Sequence, residues 1–164
     1  MEKKMIYSCT LNTPLGQATA TAMDAAITGF WFAGQKYYPT RTQAWIEQPY
    51  HPAFAPLRHW LERYFAGENP ALGFDLNPSG TPFQKAVWDI LLQIPHGKLS
   101  TYGTIARQLA ESRGLASMSA QAVGNAVGHN PISLLIPCHR VVGSGGSLTG
   151  YAGGLDKKES LLRL

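Results

Sequence analysis

The sequence predicts an α+β protein built from two small units, residues 1–78 and residues 79–164. Residues 6–32 contain runs of alternating apolar and polar side chains, which is the pattern of β-strands. Residues 81–128 instead carry apolar side chains at helical spacing, in three successive segments. Between the two patterns, residues 69–80 are rich in Pro, Gly, Asn and Ser, so we interpret them as the linker between the units.

The N-terminal unit begins with predicted strands. Residues 6–11 and 17–22 alternate in polarity, and the Thr-Pro-Leu-Gly segment at 13–16 predicts the turn that joins them. Residues 27–32 are more apolar and predict a third strand. We expect this third strand to be the central one of the sheet.

One helix is predicted after Pro52. Gly67 ends it, and its apolar side chains recur at helical spacing: Phe54, Leu57, Leu61, Tyr64 and Phe65. Aromatic side chains in such a helix usually belong to a core. Because no residue before 78 suggests chemistry, we assign this unit a supporting role.

The C-terminal unit opens with a helix that has clear start signals. Thr81 is a favourable N-cap, Pro82 suits the first turn, and Gln84 completes a capping box. One face of this helix is apolar and consists of Phe83, Val87, Ile90, Leu91 and Ile94.

Two shorter helices follow, separated by a loop that contains Gly114. The first spans residues 102–111 after a cap at 100 or 101, and the second begins near residue 117 or 119 and ends at 128. This arrangement is typical of a helix-turn-helix unit. The second helix consists mostly of small residues, which allow either a close approach to DNA or tight packing against other helices.

The chemistry is concentrated after residue 130. Residues 133–136 predict a buried strand, Pro137 ends it, and Cys138 is followed directly by His139 and Arg140. A thiol becomes a good nucleophile when a cationic or hydrogen-bonding neighbour lowers its pKa, and His139 and Arg140 can supply that environment. The alternative is that Cys138 is simply a small buried hydrophobic residue.

The remaining residues predict regular structure around glycine-rich turns. Residues 141–142 predict a strand, 143–147 a hairpin loop, 148–151 its partner strand and 155–164 a final helix. The loop has neither the lysine nor the directly following helix of a phosphate-binding loop.

Composition predicts a soluble intracellular protein. With 164 residues and 45% hydrophobic content the chain can bury a core, but no segment approaches the ~18 apolar residues that span a bilayer. The N-terminal residues lack the apolar run of a signal peptide. We interpret Cys9 and Cys138 as reduced thiols, and the scattered histidines have no metal-ligand spacing, so no metal site is predicted.

The net charge of +4 is unevenly distributed. Residues 1–76 carry equal numbers of acidic and basic side chains, whereas residues 77–164 carry eight Lys/Arg against four Asp/Glu. This excess fits a polyanionic partner such as DNA, and it fits an ordinary solvated surface equally well.

Several motifs together resemble the O6-alkylguanine-DNA alkyltransferase family. They are Pro-Cys-His-Arg-Val at 137–141, Asn-Pro at 130–131, Ala-Val-Gly-Asn-Ala at 122–126 and Gly-Tyr-Ala-Gly-Gly at 150–154. Lys158, Leu161 and Leu162 follow at the family's spacing. The resemblance is close from Thr81 onward and loose before it.

The resemblance implies a small ribonuclease-H-like sheet-and-helix domain, followed by a winged-helix (helix-turn-helix) domain that carries the active-site cysteine. It implies DNA repair in which the lesion is flipped out of the duplex and its alkyl group moves from guanine O6 to sulfur. Each molecule would act once, without a cofactor. The partner would be double-stranded DNA containing O6-alkylguanine, and the protein would be a monomer in the cytoplasm, or in the nucleus of a eukaryote, without a membrane.

The same resemblance implies a role for each site residue. Cys138 would be the nucleophile, and Asn130 would brace the turn before it. His139 would take the thiol proton through a bound water, because neighbours along an extended chain point to opposite sides. Tyr102 would give its hydroxyl to the leaving guanine and crowd the phosphate. The base pocket would be lined by Pro137, Val141, Tyr151 and Ala152, and the DNA contacts would come from Ser119, Ala120, Gln121, Ala122, Gly124 and Arg140.

Three positions depart from the family pattern. Gln121 stands where the family usually has an arginine that takes the place of the flipped base, so one cationic contact is lost. Ala152 stands where the family often has serine. The glutamate that orients the family's histidine would lie beyond Leu164, so either it belongs to a longer tail or another group orients the histidine.

Three other functions compete with alkyl transfer. A cysteine hydrolase normally takes its histidine from elsewhere in the chain and needs an oxyanion hole. Silent lesion-binding relatives of the alkyltransferases replace the cysteine, and a winged-helix transcription regulator has no use for a Cys-His pair. We therefore favour alkyl transfer, with a catalytically weak or silent lesion-binding protein as the alternative.

Overall fold

The computed structural model describes residues 5–35, 39, 44–143, 158 and 161–162. The elements are β1 (Tyr7–Thr13), β2 (Gly16–Met23), β3 (Ala26–Phe32), β4 (Ile46–Glu47), α1 (Phe54–Phe65), α2 (Pro82–Leu92), β5 (Ser100–Thr101), α3 (Tyr102–Ser112), α4 (Ala120–Gly128), a 3-10 turn (Cys138–Arg140) and β6 (Val141–Val142). The predicted α+β class is therefore confirmed. Over the ranges described, the helices are all too short or too polar to cross a membrane.

The predicted hairpin at the start of the chain is confirmed. Strands β1 and β2 pair antiparallel along their whole length, from Tyr7 opposite Ala22 to Thr13 opposite Gly16. Gly16 has a φ of +114°, a backbone conformation that side-chain-bearing residues rarely adopt, so glycine permits the tight turn. The alternation places Cys9 and Leu11 in the core.

The prediction that β3 is the central strand is wrong, because the sheet order is β3-β2-β1-β4. The outer edge of β3 is nevertheless occupied by two isolated parallel bridges, Ile27 to Leu76 and Phe30 to Ile132. Segments from outside the sheet thus cover β3 at this edge. This explains its apolar sequence, since a strand covered on its edge and faces has no side that requires polar residues.

Helix α1 follows the prediction in position and orientation. It ends before Gly67, whose φ of +87° is the left-handed conformation common after a helix. Its inward face holds five buried side chains: Phe54, Leu57, Trp60, Leu61 and Tyr64. Phe65 is only partly buried against the core.

The start signals read from the C-terminal unit are also confirmed. Thr81 and Gln84 form the predicted capping box of α2, and Thr101 caps α3 by accepting a hydrogen bond from the Thr104 amide. Ser119 caps α4 in the same way. Helices α2, α3 and α4 pack on one another, and the Trp88 indole on α2 donates a 2.9 Å hydrogen bond to the Ala126 carbonyl on α4.

A second, two-stranded sheet positions the start of α3. Strands β5 and β6 pair in parallel, with Ser100 opposite Val141 and Thr101 opposite Val142. Tyr102 is the first residue of α3 and follows Thr101 directly. The pairing therefore brings Tyr102 next to the segment that follows Cys138.

One continuous hydrophobic core joins the two predicted units. Its buried members include Phe30 and Leu57 from the N-terminal residues and Trp88, Ile132 and Cys138 from the C-terminal ones. The boundary at residue 78 stays a prediction. Residues from both sides of that boundary contribute to the region around Cys138.

Candidate active site

The predicted strand at 133–136 is wrong, although its burial is correctly predicted. Ile132 alone bridges to β3, and the chain then folds into tight turns in which Ile136 donates to the Ile132 carbonyl and Leu135 to that of Ser133. Leu134 has a φ of 72°, which no extended strand allows. The continuous apolar run correctly indicated that this segment is buried among the helices and the sheet. It did not indicate whether the backbone is extended.

Asn130 holds this turn together from inside. Its side-chain amide donates hydrogen bonds to the Ile136 carbonyl at 2.9 Å and the Ile132 carbonyl at 3.3 Å, and its oxygen accepts from the Ile132 amide at 3.0 Å. Asn130 is buried, so these bonds are shielded from water. We refer to residues 130–138 as the active-site turn.

Cys138 lies at the end of the active-site turn with 5% of its surface exposed. Burial raises the pKa of its thiol to about 11, while a hydrogen bond from Asn130 and the charge of Lys158 act in the opposite direction. The side chains that lower this pKa are Asn130 and Lys158, so activation of the thiol by His139 and Arg140 stays a prediction. Cys138 rests as a protonated thiol.

His139 occupies the 3-10 turn that begins at Cys138, so the expectation of an extended chain at this point is wrong. Its Nε2 atom lies 3.4 Å from the hydroxyl oxygen of Tyr64, which comes from α1. Burial lowers the pKa of His139 to about 3, and the charges of Arg140, Lys158 and His96 act in the same direction. The imidazole is therefore neutral and can accept a proton.

Lys158 brings a cation to the same centre. It is fully buried, and its ammonium donates a 2.5 Å hydrogen bond to the carbonyl of Val141. Burial lowers its pKa, and interaction with Cys138 partly offsets that effect. A positive charge held near a thiol stabilises the thiolate that forms when the proton leaves.

Tyr102 lies over α4. The edge of its ring would be 3.7 Å from a Cβ atom placed on Gly124, which is an ordinary van der Waals distance. Tyr102 is half-buried at the first position of α3, beside the β5–β6 pair. The structure thus brings Tyr102 and α4 to one side of the active-site turn.

Sequence and structure comparisons identify the same group of proteins. Residues 82–164 match the family model described as 6-O-methylguanine DNA methyltransferase, DNA binding domain. A methylated-DNA–protein-cysteine methyltransferase of Mycolicibacterium paratuberculosis is 44% identical over 160 residues, which cover 98% of this chain and 92% of the relative. The Haemophilus influenzae protein of that name is 39% identical, and the match covers 97% of this chain and 86% of the relative.

The chain belongs to the 6-O-methylguanine DNA methyltransferase family.

Solved structures of the family agree with the fold described above. A crystal structure of Mycobacterium tuberculosis O6-methylguanine methyltransferase superposes with a TM-score of 0.83 at 40% identity, covering 97% of this chain and 92% of that one. Mycobacterium tuberculosis OGT in complex with DNA gives a TM-score of 0.85 at 39% identity, covering 96% and 91%. Both likenesses extend over the N-terminal residues, where the family motifs are sparse.

Two of the four pocket residues that the family resemblance implies can be located. Pro137 and Val141 are buried on either side of the Cys138–Arg140 turn. Tyr151 and Ala152 lie outside the described residues, as do the predicted hairpin loop beyond Gly143 and the predicted strand at 148–151. Of the predicted final helix, Lys158, Leu161 and Leu162 are described, and they are helical.

The DNA-contact residues implied by the family divide into two groups. The outer face of α4 and its cap hold five of them at least partly exposed: Ser119, Ala120, Gln121, Ala122 and Gly124. Arg140 instead is partly buried and donates a 2.8 Å hydrogen bond to the Ile94 carbonyl after α2. Its guanidinium therefore has a partner within the protein, and its contact with DNA stays a prediction.

Among the described residues before 78, the polar side chains of Tyr64 and Gln35 reach the site, although the sequence suggested no chemistry there. Tyr64 contacts His139, and the side chain of Gln35 accepts hydrogen bonds from the Phe32 amide at 2.8 Å and from the Ser133 hydroxyl at 3.3 Å. A tyrosine predicted to be buried needs a partner for its hydroxyl, and that was the available signal. Lys158 was noted in the family motif but was given no role.

The second cysteine, Cys9, belongs to the sheet and has no part in this site. It is a buried free thiol of β1, and burial raises its pKa to about 11. Cys138 is also a free thiol. Across the described ranges, the His, Cys, Asp and Glu side chains form no group of three that could hold a metal ion.

Proposed function

We propose that this protein repairs DNA by direct reversal, moving an alkyl group from guanine O6 in duplex DNA to the sulfur of Cys138. One observation carries the proposal: in a chain of this family, the thiol is held at the end of the turn that Asn130 closes, with a neutral imidazole and a buried cation beside it. The geometry of the site, the charges around it and the family membership all support this proposal.

The transfer is a displacement at carbon. The sulfur of Cys138 forms a bond to the alkyl carbon, the carbon–O6 bond breaks, and its electron pair stays on the guanine. The thiol proton ends on the guanine, so the products are a thioether and an unmodified base. No oxidant, reductant or cofactor is needed for this balance.

The proton must move during the attack, because thiol and imidazole are both neutral at rest. His139 accepts the proton, through a water as the family resemblance implies, and the charge of Lys158 stabilises the thiolate as it develops. The hydroxyl of Tyr102 donates to the leaving guanine. The thiol and the imidazole therefore both stay uncharged until an alkylated base is bound.

The base must leave the duplex to react. Cys138 is only 5% exposed, and a stacked base cannot approach so deep a thiol. Helix α4 supports such a step, since its cap Ser119, the exposed Ala120 and the partly exposed Ala122 are small enough for a groove to come close. Gln121 would fill the space that the extruded base leaves.

The reaction would occur once per molecule. A thioether is stable in water, and neither a neutral imidazole nor a phenol hydrolyses it. The protein would act as a monomer in the compartment that holds the DNA. Analytical ultracentrifugation of the free protein and of its DNA complex tests the monomeric state.

The deciding experiment is mass spectrometry after incubation with a duplex that contains O6-methylguanine. Trypsin separates the two cysteines, since Cys138 falls in peptide 114–140 and Cys9 in peptide 5–36. We expect one methyl group on peptide 114–140, with repair ending when each protein molecule carries one. Methylation elsewhere, or repair beyond one lesion per molecule, would refute the proposal.

One observation favours the alternative of a weak or silent lesion-binding protein. The pKa of Cys138 is raised to about 11, so the resting thiol is a poor nucleophile at neutral pH. The same incubation separates the two functions. A lesion-binding protein would retain the alkylated duplex in a gel-shift assay while peptide 114–140 stays unmodified.

A further inference from the structure

Helix α1 brings one polar group from the N-terminal residues into the catalytic centre. The Tyr64 hydroxyl lies 3.4 Å from Nε2 of His139, and the two residues are 75 positions apart in the chain. Both side chains are buried, with 3% and 1% of their surface exposed. Only the packing of α1 against the Cys138–Arg140 turn can create this contact.

The ring of Tyr64 is held on several sides. Trp60 stacks on it with ring centroids 4.9 Å apart, and Phe65 and His96 meet it edge-on at 5.5 Å and 6.2 Å. Such packing restricts the rotation of an aromatic ring. The hydroxyl oxygen therefore has a defined position, and so does its hydrogen-bonding partner.

Among the described residues, the charged groups around His139 do not serve the same purpose. Arg140, Lys158 and His96 oppose protonation of the imidazole, and Cys138 is the group that gives up the proton. A histidine that accepts a proton at one ring nitrogen must direct the N–H of the other toward an acceptor. The phenolic oxygen of Tyr64 is such an acceptor. Burial raises the pKa of this phenol and keeps it neutral, while the charge of Arg140 and a hydrogen bond from its side chain act in the opposite direction.

We propose that Tyr64 is a positioning residue for His139, with its oxygen accepting the Nε2–H bond so that Nδ1 takes up the thiol proton. The proton passes from sulfur to Nδ1 and later to the guanine, while the phenol keeps its own proton throughout. The inference rests on the proposed alkyl transfer at Cys138. It assigns to α1 a part in the chemistry in addition to its part in the core.

The test is Tyr64→Phe, which keeps the ring and its stacking and removes only the oxygen. We expect alkyl transfer to Cys138 to slow about tenfold, the magnitude of a weakened general base, with unchanged affinity for alkylated duplex. In protein labelled with ¹⁵N-histidine, the His139 nitrogens should show protonated Nε2 in the wild type and a mixture of tautomers in the variant. Unchanged rate and unchanged nitrogen shifts would overturn the proposal.

A matched control comes from the same helix. Phe54→Leu removes the edge-on ring contact with His51 at the start of α1, ten residues before Tyr64, and leaves the rings around Tyr64 in place. We expect a lower melting temperature with wild-type transfer and nitrogen shifts. If Phe54→Leu slows transfer as much as Tyr64→Phe does, the effect arises from helix packing and the proposal is wrong.

The nitrogen spectra keep this inference separate from the proposed function. They need no alkylated DNA, so they report the tautomer of His139 whether or not transfer occurs. A wild-type protein that transfers no alkyl group would refute the proposed function alone. A His139 with its proton on Nδ1 in the wild type would refute the positioning role alone.

Discussion

Cys138 and His139 are chain neighbours that burial affects in opposite directions. The pKa of the thiol is raised to about 11 and that of the imidazole is lowered to about 3, since each group is held in its uncharged form. The charged pair can form only when something offsets this cost. At the scale of single residues, Lys158 and Asn130 favour the thiolate, and Tyr64 lies beside the imidazole, whose protonation Lys158 opposes.

Replacing Cys138 with serine should abolish transfer and leave binding of alkylated duplex nearly unchanged. A hydroxyl keeps the shape of the thiol but is far harder to ionise. Peptide mass spectrometry measures the transfer, and a gel-shift titration measures the binding. Cys9→Ser is the matched control, because Cys9 is an equally buried thiol in β1 with no part in the site, and it should transfer at the wild-type rate.

The neutral state of His139 predicts a dependence of stability on pH. The unfolded chain has the ordinary histidine pKa of 6.5 and the folded protein a pKa of about 3, so the unfolded state binds more protons between these values. The stabilising contribution is therefore present above pH 6.5 and is lost as the pH falls, by about 1.4 kcal/mol per pH unit. Urea unfolding at a series of pH values measures it.

The matched variant for this measurement is His139→Gln, which removes the titrating group. Its free energy of unfolding should fall less steeply in acid than that of the wild type. Parallel curves for the two proteins would mean that folding does not shift the pKa of His139.

At the scale of elements, local signals predicted the helices and failed at the active-site turn. The capping box of α2 and the caps of α3 and α4 depend on residues a few positions apart, which a sequence shows directly. The turn at 133–136 depends on Asn130 and on packing against β3, so the same apolar run fits a strand or a buried turn. Contacts between distant residues, such as Tyr64 with His139, leave no local pattern at all.

Helix α4 allows stability and DNA binding to be separated by one substitution. Gly124→Ala places a methyl group at an ordinary contact distance from Tyr102, and alanine favours a helix over glycine by about 0.5–1 kcal/mol. We expect a higher free energy of unfolding but weaker binding of duplex DNA, since the added methyl holds the groove away from the helix. Stability and affinity measured on one preparation decide the matter. Unchanged affinity would mean that α4 does not approach DNA at this position.

At the scale of the molecule, the N-terminal residues are part of the site. Phe30 bridges Ile132, Gln35 bonds Ser133, and Tyr64 contacts His139. The supporting role expected from the sequence therefore understates the part that the N-terminal residues have in the site. The protein is not divided into a half that only supports and a half that carries all the chemistry.

Residues 79–164 expressed alone should leave Cys138 poorly protected. The fragment loses the β3 edge and the α1 face that bury the active-site turn in the whole chain. Because Cys138 is then the sole cysteine, a thiol-reactive dye measures its exposure directly. We expect rapid labelling of the fragment and slow labelling of the Cys9→Ser full-length protein. Equal rates would show that the C-terminal residues bury the thiol unaided.

The long chain separations within the site have a consequence in time. Gln35 and Ser133 are 98 positions apart, and Tyr64 and His139 are 75 apart. Contacts between such distant residues form late, because the large loop between them must close first. We therefore expect the thiol to be more open to oxidants and alkylating chemicals during synthesis and early folding than in the folded protein, where 5% of Cys138 is exposed. The rate at which the N-terminal and C-terminal residues pack together then determines what fraction of newly folded molecules has an unmodified Cys138.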